Sequence, residues 1–311
     1  MVNTTQPRSY AAAHFGLALD GGGDVGLFRS IDGGNVKADV MTYQSGAIYD
    51  KWRQLGKPKF EDIKLQVGMA MSKPFYTWIS QFFAGHPARK NGAIIAADFY
   101  YKERARREFT NAMINELVFP KLDATDKNAA FMGIGLAVEG MVFKPGDGSK
   151  MVQPKGGLPQ KLWTCCNFRF RLDGFEAACK RVSKIDSFTV KMAVLEYHGG
   201  GHRAPIKTPS PIDFPNLTFY IPEVDAPLFL NHVQKWIIAD KVDQPGRLTG
   251  MIETLDHTMS STLFTLQFYG AEIVSVTPDK SDSSSEDIKQ VKIELFTERM
   301  EFKYAPESIA G

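Results

Sequence analysis

The chain has 311 residues, 43% hydrophobic and 23% charged, with a formal net charge of +2. That length suggests two domains of ordinary size, and that composition suits a globular protein with a sizeable core. It holds no apolar run of about 18 residues to span a bilayer. The polar start, Met1 to Tyr10, lacks the apolar segment of a signal peptide, so cytoplasmic assembly is expected. Cys165, Cys166 and Cys179 are too few and too badly spaced for a disulfide framework or a zinc site, and read as core thiols.

In chain order, Phe15-Gly-Leu-Ala-Leu-Asp20-Gly21 opens as a half-buried strand ending in a turn, with an apolar residue at every second position. Phe168-Arg-Phe-Arg-Leu-Asp173-Gly174 repeats it. Ser30-Ile31-Asp32 has its partner in Lys184-Ile185-Asp186, and Val40-Met-Thr-Tyr-Gln-Ser-Gly46 in Val194-Leu-Glu-Tyr-His-Gly-Gly200. Phe60-Glu-Asp-Ile-Lys-Leu65 then matches Phe214-Pro-Asn-Leu-Thr-Phe219. A helix follows in each copy. It starts at Ser72-Lys-Pro-Phe and at Asp225-Ala-Pro-Leu, with Ser or Asp as N-cap and Pro in the first turn. Phe75, Trp78, Ile79 and Phe82, and then Phe229, Val233, Trp236 and Ile237, form one apolar face, which reads as core. Further along, Glu139 matches Glu298 and Phe143 matches Phe302.

The chain is therefore expected to be mainly β with minor α. It reads as two tandem small β-barrel or sandwich domains, each with one flanking amphipathic helix. Residues 1–150 are copy one, 151–160 a Gly/Pro linker, and 161–311 a diverged copy two. Gln44 to Lys59 and His198 to Asp213 read as long loops. Asp279-Lys-Ser-Asp-Ser-Ser-Ser-Glu-Asp287 is an acidic, serine-rich loop. Residues 1–155 carry 20 Lys+Arg and 15 Asp+Glu, a balance of +5. Residues 156–311 carry 17 and 20, a balance of −3. Opposite signs favour contact between unlike halves.

Three motifs tempt a catalytic or ligand-binding reading. Gly21-Gly-Gly-Asp-Val-Gly26 fits G-x-G-x-x-G, but a dinucleotide site needs a helix opening at the third glycine, and Leu27-Phe-Arg-Ser-Ile-Asp-Gly-Gly34 is too short for one. A glycine turn between strands fits better. Leu17-Ala-Leu-Asp-Gly-Gly-Gly23 looks like the oxyanion segment of patatin-like lipases, yet no G-x-S-x-G elbow exists to carry the nucleophile. His198-Gly-Gly-Gly-His202 leaves its imidazoles unoriented and lacks further ligands. No catalytic, cofactor-binding or metal-binding residues are assigned, no cofactor is expected, and the chain is expected not to be an enzyme. Lys102-Glu-Arg-Ala-Arg-Arg107 reads as a solvated strand face or docking surface.

The first copy resembles the tail-tube family of contractile-tailed phages and phage-like injection systems. The likeness rests on Phe15 to Gly21, Phe28-Arg-Ser-Ile-Asp-Gly33, Tyr43-Gln-Ser-Gly46, Arg89-Lys-Asn-Gly92, Phe109-Thr-Asn-Ala112, Leu122-Asp-Ala124 and Glu139-Gly140. The second copy keeps the frame and departs in wording. The resemblance implies a structural protein whose small barrels pair strands between subunits into rings that stack as a tube inside a sheath. Family rings are usually hexameric, so two copies per chain imply a pseudo-six-fold trimer. Its partners would be neighbouring rings, sheath, baseplate and spike proteins, and DNA or protein cargo in the lumen, with no membrane. The complete object would be a phage virion or a released injection particle. The same symmetry would suit an initiator or hub adaptor between a trimeric spike and a hexameric tube. The long segments imply reach to a neighbour, with Trp52, Leu55 and Ile206 as apolar anchors. Arg104 and Arg106 are candidate contacts on the basic cluster.

Overall fold

Period-two apolar residues and Gly- or Asn-rich turns build most of this chain as antiparallel strands, as the pattern predicts. The computed structural model describes residues 14–20, 23–24, 26–46, 49–151, 163–201, 204–239, 247–278 and 288–305. Gly21, Gly22, His202, most of the expected linker and the acidic serine loop lie outside the described residues.

The first half runs β1 (Phe15–Leu19), β2 (Gly23–Asp24), β3 (Gly26–Gly33), β4 (Val36–Tyr43), β5 (Trp52–Phe60), β6 (Ile63–Met71), α1 (Lys73–Phe83), β7 (Lys90–Ala97), β8 (Glu103–Phe119), β9 (Leu122–Asp123), β10 (Met132–Ala137) and β11 (Gly140–Pro145). The second half runs β12 (Phe168–Leu172), α2 (Glu176–Cys179), β13 (Lys184–Ile185), β14 (Phe188–Tyr197), β15 (Ile206–Asp213), β16 (Leu217–Pro222), α3 (Ala226–Val233), β17 (Leu248–Leu255), β18 (Thr262–Pro278), β19 (Gln290–Phe296) and β20 (Arg299–Tyr304). A wide π turn, Gln234–Ile238, prolongs α3.

The strand order β1-β7-β8-β10-β6-β3 in the first half recurs as β12-β17-β18-β19-β16-β13 in the second. β11 pairs the front of β8 as β20 pairs the front of β18. In the first half β1 and β3, from opposite ends of the order, approach each other, so the sheet curls into a nearly closed barrel. Registers recur as well. Ile31 opposes Leu65, and Ile185 opposes Phe219. Tyr43 opposes Trp52, and Tyr197 opposes Ile206. Bulges fall between Ala38 and Val40 and between Met192 and Val194. Asn111 (φ 51°) and Gly270 (φ 62°) take the same left-handed kink midway along the two longest strands, a conformation that Asn and Gly adopt most cheaply.

Three local expectations change. Gln44–Lys59 and His198–Asp213 are not long loops: each holds the return strand of a hairpin, β5 or β15. Their sequence hides this because cross-strand pairing rather than burial holds them, and Pro58, Pro209 and Pro211 sit where a sheet edge tolerates proline. Ser72 and Asp225 precede the helices but make no side-chain cap. Ser72 uses its backbone carbonyl to accept the Phe75 and Tyr76 N–H groups, and Asp225 is drawn to Arg181. A short helix, α2, stands beyond the one helix expected per unit. After the glycine turn comes strand β3, not a helix, and β1 pairs β2 through Leu19↔Gly23.

The first helical stripe enters the core whole: Phe75, Trp78, Ile79 and Phe82 are fully buried. The second does so only in part: Phe229 is buried against Phe175 and Phe219 and Val233 packs at the core's edge, but Trp236 is half-buried and Ile237 is 48% exposed, because the π turn rotates the end of the stripe away from the sheet. The buried apolar cluster is continuous through both halves. Cys165 and Cys179 lie in it; burial raises the Cys165 thiol and pushes the Cys179 thiol up to about 12.

Candidate assembly interface

The junction between the halves is built from strand edges first. β14 adds to the far end of β8 as an antiparallel neighbour, with Phe188↔Phe119, Thr189↔Val118, Val190↔Leu117 and Lys191↔Glu116. A shorter pairing, β9 with β13, extends the seam through Leu122↔Ile185 and Asp123↔Lys184. An unpaired strand edge exposes backbone N–H and C=O groups, so such addition satisfies main chain and side chains together.

Aromatic packing seals the seam. Phe119 and Phe188 stack with ring centroids 4.8 Å apart. The outer side of α1 covers β20: Tyr76 stacks on Tyr304 at 5.0 Å, and Phe83 on Phe302 at 6.0 Å. Offset-stacked rings at these distances add about 1 kcal/mol each beyond area burial. Ser80 Oγ also donates to the Phe302 carbonyl at 3.2 Å.

A polar clasp fixes the root of β15. Glu139 accepts from Arg89 Nη1 at 2.9 Å and from the Lys207 backbone N–H at 2.8 Å. Arg89 also donates to the Lys207 carbonyl. The buried Lys207 ammonium reaches Asp62 at 3.3 Å, and Asp62 in turn accepts from Asn115 at 2.8 Å. Lys207 and Asp62 are thereby paired, whereas Asn115 Oδ1 is buried without a hydrogen-bond partner. Near the shorter seam, Asp123 is lowered to about 2, chiefly by the Lys121 ammonium and then by the Thr125 hydroxyl and N–H.

The opposite flank of the molecule carries the same parts without the pairing. Hairpin β4–β5 joins no third strand among the described residues. Its Val36, the counterpart of the fully buried Val190, is 42% exposed. Beyond Ala271, β18 pairs only with β19 among the described residues, leaving one edge open where β8 receives β14. The Arg89–Glu139 clasp recurs as Arg247–Glu298 at 3.0 Å. Arg53 stands at the hairpin position equivalent to Lys207 and is exposed.

Of the predicted contact residues, Trp52 and Leu55 lie exposed on β5, and Ile206 is half-buried at the start of β15. Arg104 and Arg106 are on β8, held within the first half: Arg104 by Asp98 at 2.6 Å, Arg106 by the buried Glu103 at 2.8 Å. Asp98 is lowered by the Lys102 N–H, and also by Arg104 and the Tyr100 N–H. The structure brings Ile206 to the seam beside Lys207 and leaves the other four away from it. Phe119, Phe188, Tyr76 and Lys207 carry the seam and escape a sequence reading. Their only signal is excess: α1 has apolar residues on two faces where one core face would suffice.

Strand-edge addition between barrel units is a building geometry, and the comparisons name the kind of builder. Residues 11–142 match the T4-like virus tail tube protein gp19 family. This first part of the chain is therefore a tail-tube unit, a structural building block. Among solved structures, a chain of the anti-feeding prophage cap, described as the tube terminating cap, is 20% identical; the match covers 47% of this chain and 99% of that one, with a TM-score of 0.40. A chain of the sheath/tube terminator of the extracellular contractile injection system PVC, in the extended state, is 20% identical over 44% of this chain and 98% of that one, TM-score 0.39. One of the PVC sheath-tube complex is 20% identical over 49% and 94%, TM-score 0.36. No curated protein matches the chain. No described helix is long and apolar enough to cross a membrane.

Proposed function

We propose that the chain is a tandem pair of tail-tube units, residues 1–150 and 161–311. It closes as a ring of three chains, a pseudo-hexamer, within the inner tube of a contractile tail or injection system. One observation supports this above others: the main pairing of the seam inside the chain, β14 on β8, has unpaired counterparts among the described residues on the two outer flanks, hairpin β4–β5 and the end of β18. Transposing the β14–β8 register onto those flanks sets Val36 against Val276 and Lys37 against Ser275 of the next chain. The contact is heterologous, so it either closes into a ring or runs on as a filament. Six units at the family's usual angle close it, and closure pairs the open edge of each β18. The +5 and −3 halves would then alternate around the ring, favouring unlike neighbours.

In this reading the exposed hairpin ends bearing Trp52 and Leu55 meet an adjacent ring or subunit. Arg104 lies on a face available to sheath, Arg106 lines a cleft between β8 and its neighbours that an adjoining subunit can meet, and the lumen passes DNA or protein. Baseplate or spike proteins cap the stack. A duplicated chain has true three-fold symmetry, which also favours a tube initiator or adaptor that seats a trimeric spike beneath a hexameric tube. Negative-stain images and sedimentation of the purified protein test both. Rings with a central hole and the mass of three chains are expected, single for an adaptor and stacked for a tube. A stable monomer at high concentration refutes the ring.

A further inference from the structure

The seam inside the chain has a second component, a helix laid over the neighbouring sheet, and its outward counterpart is also present. The equivalence rests on core anchors. Phe75 and Phe229 are both fully buried and both pack on a phenylalanine ring, the half-buried Phe28 or the buried Phe175. Counting from them, Tyr76 corresponds to Leu230 and Phe83 to Ile237. Tyr76 and Phe83 are the two aromatic rings that α1 lays on the second half. Leu230 is 45% exposed and Ile237 48%, with Ile238 beside them more exposed still. At i, i+7 and i+8 these three share one side of α3 and its last turn. A solvent-facing helix side has no reason of its own to carry three large aliphatic residues.

The receiving surface is equally specific. Phe302 and Tyr304, which α1 covers, correspond to Phe143 and Pro145 on β11, and Phe264 corresponds to Ala105 on β8. In the second half that region is filled by Tyr76, Phe83, Phe119 and Trp163. In the first half it is an open cleft of about 880 Å³, with Ile94 and Phe143 on its walls and the cations Arg29, Arg106, Arg107 and Lys144 beside them. Phe143 is 58% exposed there. The smaller Ala105 and Pro145 leave room where Phe264 and Tyr304 are filled in.

We infer that the exposed side of α3, carrying Leu230, Ile237 and Ile238, seats in the cleft beside Phe143 on the first half of a second copy of this chain. The inference rests on the ring reading and adds a contact to it. Helix and hairpin act on opposite partners: each second half gives its helix to the next first half and receives that half's hairpin on β18. The internal seam joins its parts in the same sense.

A double variant, Leu230→Cys with Phe143→Cys, treated with a short bifunctional thiol reagent, tests the contact. In the template the equivalent pair, Tyr76 and Phe302, has ring centroids 6.3 Å apart. Covalent dimers and trimers are expected from the double variant and neither from the single ones. In parallel, Leu230→Asp with Ile237→Asp should abolish rings while leaving the circular dichroism and urea midpoint of the single chain unchanged. Rings that persist in the Asp variant, with no cross-link in the Cys variant, overturn the helix contact and leave the tube reading standing. If the Asp variant fails to fold, the cross-link alone decides. A wild-type protein that never leaves the monomer overturns both.

Discussion

Val36 and Val190 occupy the same place in two copies of one hairpin, and only one of them is covered within the chain. Val190 is fully buried opposite Leu117, whereas Val36 is 42% exposed. Replacing Val36 by Asp should leave the isolated chain within about 0.5 kcal/mol of wild type, as surface changes usually do. In the proposed ring the same position would be covered. Full burial of a valine contributes about 1.5 kcal/mol or more, so covering the exposed 42% contributes about 0.6 kcal/mol. Burying a carboxylate without a partner costs at least about 2 kcal/mol more. The sum, about 2.5–3 kcal/mol, weakens each junction roughly 100-fold, and a closed trimer has three of them. Val190→Asp puts that carboxylate into the intrachain seam instead. It should lower the stability of the chain itself by about 3–5 kcal/mol. Sedimentation velocity reads the first effect and urea unfolding the second. The reasoning is refuted if Val36→Asp assembles at wild-type concentrations, or if Val36→Asp destabilises the single chain as much as Val190→Asp does.

Two further outcomes follow from local geometry. A Cβ on Gly92 would meet the Ala18 carbonyl oxygen at 2.3 Å and Phe109 at 2.6 Å, and one on Gly250 the Arg171 oxygen at 2.5 Å and Phe268 at 2.4 Å. Gly92→Ala and Gly250→Ala should each cost about 2 kcal/mol or more in thermal unfolding, against no measurable loss for Gly46→Ala, whose Cβ meets nothing within 4 Å. Asp123 titrates at about 2 in the fold against an ordinary 3.8, so its ionised form stabilises the folded chain. That contribution is complete above pH 3.8 and is lost as pH falls through about 2. With solvent screening it amounts to about 1 kcal/mol. Asp123→Asn should lower the urea midpoint near neutrality, and the difference from wild type should shrink as the pH is taken down through that window; an unchanging difference would contradict the assignment.

Much of the fold can be read before any coordinates. The alternation in Phe15–Leu19 and Phe168–Leu172 marks opening strands, because a half-buried strand needs period two. The stripe Phe75, Trp78, Ile79, Phe82 marks a core helix, because 3.6 residues per turn bring those positions together. The tail-tube resemblance of the first half is a local feature that survives intact. Hairpin strands β5 and β15 are not legible, since their pairing leaves no hydrophobic period. The same holds for the choice of Trp52 and Leu55 over Phe119 and Tyr76 as contact residues: exposure is a property of the folded surface, not of residue type.

By itself the sequence determined the opening strands, the core helix α1 and the family resemblance of the first half, since each depends on residues close together in the chain. The tertiary structure alone decided which edges are already satisfied: Phe188 opposite Phe119, Lys207 clasped by Glu139, α1 laid on β20. Those contacts join residues about 70 to 230 positions apart, and no local pattern encodes a partner at that range. Among the described residues, backbone groups left open on β18 and on hairpin β4–β5 become visible only once the equivalent edges of β8 and β14 have found each other.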